Sequence, residues 1–248
     1  MLQPAKRFGN YPTPSPMGLQ LTASVLKRVN ERGGLRVVDV LDHIRYDTLR
    51  FKPGAAVSTA PFVLFQIPFG QQASVANAAE NYNKSLLDTN MDSAGQLPAG
   101  QEMIVNSIQV WVNVPGQTDT SYPTSGAGTE LPTDTTAAAK VSGVNLLKAV
   151  LTQATLTTKF GEKRYEEGPL FQFPTDYGIS GFAGAADSTG NESISNNGFG
   201  RARALFMPRH IPELVNFNVN VQFVQALTIS RQFTLTVMLH GILIRPVQ

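Results

Sequence analysis

The last part of the chain alternates between apolar and polar residues almost without a break. Over 215–223, Val215, Phe217, Val219, Val221 and Phe223 are interleaved with Asn216, Asn218, Asn220 and Gln222. Over 233–243 the same rhythm places Phe233, Leu235, Val237, Leu239 and Leu243 on one side. Period-two alternation puts one set of side chains on a core and the other outside it, so both segments predict strands of a half-exposed sheet. Residues 104–114 predict a third strand, with Ile104, Ile108, Val110, Val112 and Val114 on one face. Phe62–Phe69 is apolar at odd and even positions alike and predicts a strand buried on both faces. Further strands are expected at Leu35–Leu41, at Tyr46–Phe51 (closed by Pro53-Gly54) and along Thr-rich Val150–Phe160. Helical spacing is confined to three short stretches. Leu19–Arg32 carries Leu21, Val25 and Val29 and stops at Gly33-Gly34. Ala73–Leu87 carries Val75, Ala79, Tyr82 and Leu86, and a turn is expected over Ala137–Leu147.

Between these elements lie stretches without periodicity. Residues 1–16 hold Pro4, Pro12, Pro14 and Pro16 together with Lys6 and Arg7, an extended arm that cannot pack by itself and orders only when something ties it down. Residues 115–136 are rich in Thr, Pro, Gly and Ser, and 175–200 in Gly, Ser, Asn and Ala. Loops of that length are uncommon in compact domains and belong at the ends of a sandwich. The expected organisation is an N-terminal arm and short helix over 1–34, followed by a β-sandwich over 35–248 with long loops at 115–136 and 175–200. About eight to ten strands with few short helices point to an all-β jelly roll or related Greek-key sandwich. No internal repeat is visible, which favours a single jelly roll over a compact double one.

Composition sharpens this picture in three ways. Charged residues make up only 15% of the chain, against roughly 25% in ordinary soluble domains. The surface is therefore hydrogen-bonding more than ionic, which suits large interfaces as well as it suits solvent and is equally common among β-sandwiches. Cysteine is absent, so disulfides, thiolate metal sites and cysteine nucleophiles are excluded. The net charge of +2 is unevenly spread: residues 1–52 carry nine Lys/Arg and four acids, 53–200 six and thirteen, 201–248 five and one. Basic ends around an acidic middle either pair locally with that middle or offer basic surfaces to nucleic acid or anionic lipid. Residues 1–16 lack the apolar core of a signal peptide, and no apolar run is long enough to span a membrane.

Candidate chemistry is sparse. His43, His210 and His240 each stand alone in sequence, without the paired spacing of a metal centre. Glu166, Glu167 and Asp176 form one carboxylate group, and Asp39, Asp42 and Asp47 a second, as a glycosidase pair would require. No nucleophile elbow or phosphate-binding loop occurs. Asp88, Asn90 and Asp92 follow the opening of a calcium loop, but Ala94 replaces the central Gly and Ala99 the bidentate Glu, leaving a calcium candidate outside the EF-hand class. Phe171, Phe173 and Tyr177 lie near Arg164 without the interleaved basic residues of a nucleic-acid platform, and Arg201, Arg203 and Arg209 form a possible basic stripe. The expectation is a protein without catalytic residues or cofactor.

The order of elements is similar to that of viral jelly-roll coat proteins: a Pro-rich basic arm, a short helix, a Thr/Gly/Pro-rich insertion and two closing strands of clean alternation. Leu87-Asp88-Thr89-Asn90 and Leu97-Pro98-Ala99-Gly100 leading into Ile104–Val114 resemble capsid proteins of tailless icosahedral bacteriophages. So do Leu205-Phe206-Met207-Pro208-Arg209-His210-Ile211 and Leu239-His240-Gly241-Ile242. The resemblance covers residues 56–248 and lies in pattern. It implies a coat subunit assembled in the host cytoplasm into a virion, as a major coat or vertex protein. Its partners would be copies of itself and other capsid proteins, with an assembly arm at Lys6, Arg7, Pro12 and Pro14, basic termini on genome or internal membrane, and no small-molecule substrate. The alternative is a carbohydrate-binding or receptor-binding β-sandwich, lectin-like or a viral spike domain; an enzyme on this fold ranks third.

Overall fold

The computed structural model describes residues 38–54, 56–113, 146–175, 180–183, 192–195, 204–229 and 232–246. The arm with Lys6, Arg7, Pro12 and Pro14, the predicted helix Leu19–Arg32, the 115–136 loop, most of Ala137–Leu147, and Asp176, Tyr177, Arg201 and Arg203 lie outside them. Among the described residues fourteen strands run in chain order. They are β1 (Val38–Phe51), β2 (Ala56–Val57), β3 (Phe62–Leu64), β4 (Gln72–Ser74), β5 (Asn81–Asn83), β6 (Glu102–Asn113) and β7 (Ala154–Phe160). After these come β8 (Lys163–Pro169), β9 (Ser180–Ala183), β10 (Glu192–Ser195), β11 (Ala204–Ile211), β12 (Phe217–Phe223), β13 (Leu227–Thr228) and β14 (Phe233–Pro246). A helix, α1, is described over 146–153.

Eight of these strands form two four-stranded antiparallel sheets, ordered β1-β14-β6-β11 and β3-β12-β7-β8. Their pairing is nested. First pairs with last (β1–β14), second with seventh (β3–β12), third with sixth (β6–β11) and fourth with fifth (β7–β8). Successive nested pairs alternate between the sheets, as if one long hairpin ribbon had been rolled into two layers. The layers meet on a single core. Phe51 of β1 stacks on Phe233 of β14 at 4.3 Å and meets Phe62 and Phe223 of the other sheet edge-on at 5.6 and 6.0 Å. Fully burying one such side chain stabilises the fold by about 1.5–3 kcal/mol. Leu146, Leu147 and Val150 of α1 add to the same core.

The alternation in β12 and β14 is as expected: Phe217, Val219, Val221 and Phe223, then Phe233, Leu235, Val237, Leu239 and Leu243, all reach the core. Around β12 the opposite face carries Asn218, Asn220 and Gln222 beside Thr155 and Thr157 of β7.

Other expectations are corrected. In β6 the pairing with β14 skips one residue: His240 lies opposite Ser107 and Gly241 opposite Val105. This bulge at Asn106 reverses the parity, so Met103 and Val105 join Ile108, Val110 and Val112 in the core while Ile104 does not. Phe62–Phe69 is not one buried strand. β3 ends at Leu64, Phe65 turns with φ 68°, and Val63 and Phe69 are exposed. Ala73–Leu87 is no helix; β4 and β5 pair there, with Val75 N–H bonded to Glu80 O. Leu35–Leu41 and Tyr46–Phe51 belong, from Val38, to one unbroken strand, and Val150 lies in α1 because the strand begins only at Ala154. Within 175–200, taken from sequence as loop, β9 and β10 pair across four residues each.

Candidate functional site

Most of β1 turns its odd-numbered side chains toward the core, and three inward or edge positions are charged: Arg45, Asp47 and Arg50. A strand interior tolerates charge only where each group is paired. The segment 84–92 provides the partners. Lys84, itself 4% exposed, donates to Asp47, which is 1% exposed. Arg50 grips Asp88 with two parallel bonds of 2.8 Å and lies 4.3 Å over the ring of Tyr82. Arg45, 5% exposed, reaches Asp92 at 3.3 Å and Gln101 at 3.2 Å. Backbone bonds complete the seam: Asn90 takes the Tyr46 N–H on its side-chain oxygen and donates its amide to Ile44 O.

Asp47 is the hub of this seam, accepting also from the backbone N–H groups of Phe65 and Thr48. Burial pushes its carboxyl above the ordinary value, and Lys84 and the two N–H donors pull it back only in part. Its bond to Phe65 fixes a buried phenylalanine in the left-handed region, where the chain leaves β3.

Held this way, the turn Ser85–Asp88 presents two leucines to solvent. Asp88 accepts from Ser85 N–H and O–H at 2.9 and 2.8 Å, and the Tyr46 hydroxyl donates to Leu86 O. Leu86 is 62% and Leu87 82% exposed on a backbone bonded at every turn. Beneath Leu86 opens a cleft of about 290 Å3 at the end of the β1–β14 pair, where Leu41, Phe69 and Leu243 meet His43, Arg45 and Arg245. The Nε2 of His43 and the Nε of Arg45 are buried and meet no hydrogen-bond partner among the described residues. Burial, then the charge of Arg45, holds the His43 imidazolium below its ordinary pKa.

A second apolar projection lies on β11. Its pairing with β6 breaks between Ala204 and Arg209, and there Leu205 turns into the core while Phe206 and Met207 stand 88% and 62% exposed.

The sequence candidates are placed differently from any catalytic constellation. Asp88, Asn90 and Asp92 do not converge on a cation: Arg50, the β1 backbone and Arg45 occupy them. His210 lies 3.2 Å from Glu102, and His240 3.1 Å from Asp42. Asp39 faces Arg245 at 3.6 Å, whereas Asp47 is buried with Lys84, so the three acids of β1 serve separate contacts. Glu166 accepts from Arg209 at 2.8 Å, and that guanidinium lies 5.1 Å from the Tyr165 ring. Among the described residues no three His, Asp or Glu side chains gather as a metal would need. Sequence reasoning missed Lys84 and Arg45; the available signal was charge at inward positions of a strand, which demands partners elsewhere. Compared with known protein families, with curated proteins and with solved structures, the chain matches none.

Proposed function

We propose that this chain is a single jelly roll serving as a structural coat subunit that self-assembles into an icosahedral shell. The observation that carries the reading is the nested pairing, which yields sheets β1-β14-β6-β11 and β3-β12-β7-β8. Two four-stranded sheets rolled from one ribbon are the architecture of the double-sheet jelly rolls that occur in capsid and lectin domains. The choice of shell over lectin rests on the surface. Apolar anchors project at two separate places, the Leu86–Leu87 turn and the Phe206–Met207 bulge. Two unlike patches on one subunit suit heterologous contacts, which repeat around an axis and close into rings. The amide and hydroxyl face of β7 and β12 offers adaptable hydrogen bonds to neighbours in several settings. Each contact is weak, and repetition supplies the stability.

Tyr165, exposed beside Arg209, and exposed Phe171 favour the glycan-binding alternative, since sugars stack on exposed aromatic rings. Multi-angle light scattering and negative-stain microscopy of the full-length chain separate the two. Closed particles or discrete capsomers are expected. A monomer of 26.8 kDa at every concentration, binding a glycan array, overturns the coat reading.

A further inference from the structure

We infer that the free edge of β1 over residues 38–44 receives the proline-alternating segment Tyr11–Pro16 of a second copy as an added strand. The occupant rests on the self-assembly reading above. Among the described strands β1 pairs only with β14, and on its other side it makes one isolated bridge, Asp47 with Thr89. Backbone groups in an antiparallel strand point alternately to its two sides, and the even-numbered residues of β1 face outward. Tyr46 bonds to Asn90 through both its N–H and its C=O, at 3.0 and 3.4 Å, and Arg50 C=O accepts from Ala76 N–H at 2.9 Å. This cover ends at Ile44, whose carbonyl takes the Asn90 amide at 2.6 Å. Beyond it the outward N–H and C=O of Val40 and Asp42 meet no partner among the described residues.

The other edges of the two large sheets differ from it: β8 bears Lys163, Arg164, Glu166 and Glu167, β11 is broken by its bulge, and β3 is only three residues long. The β1 edge instead presents Val40, 47% exposed, on one face of the strand, and on the other face Leu41 lines the cleft with Phe69 and Leu86. That combination of unpaired backbone and adjoining apolar pocket is what strand addition uses.

The arm fits it chemically. Tyr11-Pro12-Thr13-Pro14-Ser15-Pro16 places proline at every second position. Proline and the residue before it both favour extended backbone, and proline is tolerated on an edge strand where its missing N–H faces away from the ladder. Tyr11, Thr13 and Ser15 can therefore bond to β1 while the prolines leave an outer edge that recruits no further strand. Residues 1–16 carry Lys6 and Arg7 and no acid, and on the edge strand itself Asp42 has an exposed carboxylate, while Asp92 is paired with Arg45. Twenty-one residues, 17–37, separate this segment from β1, enough to cross to a neighbour.

The test is hydrogen exchange by mass spectrometry on the full-length chain across a concentration series, alongside light scattering. Peptides covering 38–44 should slow by at least about tenfold as the chain associates. Thr13→Pro removes an arm donor without touching the sandwich and should abolish the protection, as should Val40→Pro on the edge. Pro14→Ala should retain it. Association that leaves 38–44 unprotected, or protection insensitive to Thr13→Pro, overturns the inference and leaves the coat reading standing. Protection independent of concentration assigns the edge to the chain's own arm and also overturns it. A chain that stays monomeric throughout overturns both.

Discussion

Gly241 lies so close to Ile104 that a Cβ on it would stand 1.9 Å from the Ile104 carbonyl oxygen and 2.9 Å from the Val105 Cα. Its neighbour is the bulged backbone of β6, where one extra residue carries the strand across the face of β14. The glycine and the bulge thus require each other, and a side chain at 241 must push two central strands apart.

Gly241→Ala should accordingly destabilise the fold by about 3 kcal/mol or more, at the upper end of overpacking costs. Urea denaturation would show the midpoint falling with the slope unchanged.

Lys84→Met strands the Asp47 carboxylate in the core. Losing one partner of a buried pair costs about 3–5 kcal/mol, here measured at pH 7 by the same unfolding transition.

The pH dependence of that variant follows from Asp47. Its folded carboxyl titrates above the 3.8 of the free group because burial disfavours the charge. Between those two values the folded state binds more protons than the unfolded one, so stability falls as pH rises through the window. Removing Lys84 takes away the largest opposing pull and raises the folded value further. Unfolding free energies measured from pH 4 upward should therefore decline over a wider range in Lys84→Met than in the parent chain.

His43 acts with the opposite sign. Its folded pKa lies below 6.5, so its contribution is present above 6.5 and is lost as pH falls through the folded value. His43→Leu should flatten the stability profile just below 6.5, measured against the parent in matched buffers.

Replacing Phe206 and Met207 together by Ser should leave stability within about 0.5 kcal/mol, since both side chains are exposed. Sedimentation velocity should nevertheless show weaker self-association.

What the sequence made legible was set by period two. The alternation in β12 and β14 named their core residues in advance, although the second face of β14 is itself largely buried, with Thr234, Thr236 and Ile244 all covered. Where a strand is irregular the pattern misleads: nothing in Ile104–Val114 announces that Asn106 is an extra residue, because a bulge is defined by the opposite strand. Val75, Ala79, Tyr82 and Leu86 matched helical spacing by coincidence, and the segment instead pairs with itself and with β1. The seam was illegible for a further reason. Asp47 and Lys84 are 37 positions apart, and no local rule links them. Asp88, Asn90 and Asp92 suggested a cation, which is the right kind of chemistry, but the positive charge comes from the Arg45 and Arg50 guanidinium groups.

The nested pairing also dictates an order of events during synthesis. β14 lies between β1 and β6 in its sheet, yet it is the last of the described strands to leave the ribosome, and Val38 must wait for Pro246. Until then β1 and β6 have no common neighbour, and contacts so distant in sequence form slowly. A nascent chain therefore cannot complete its first sheet, and the β1 edge takes its final form only once that last strand has been made.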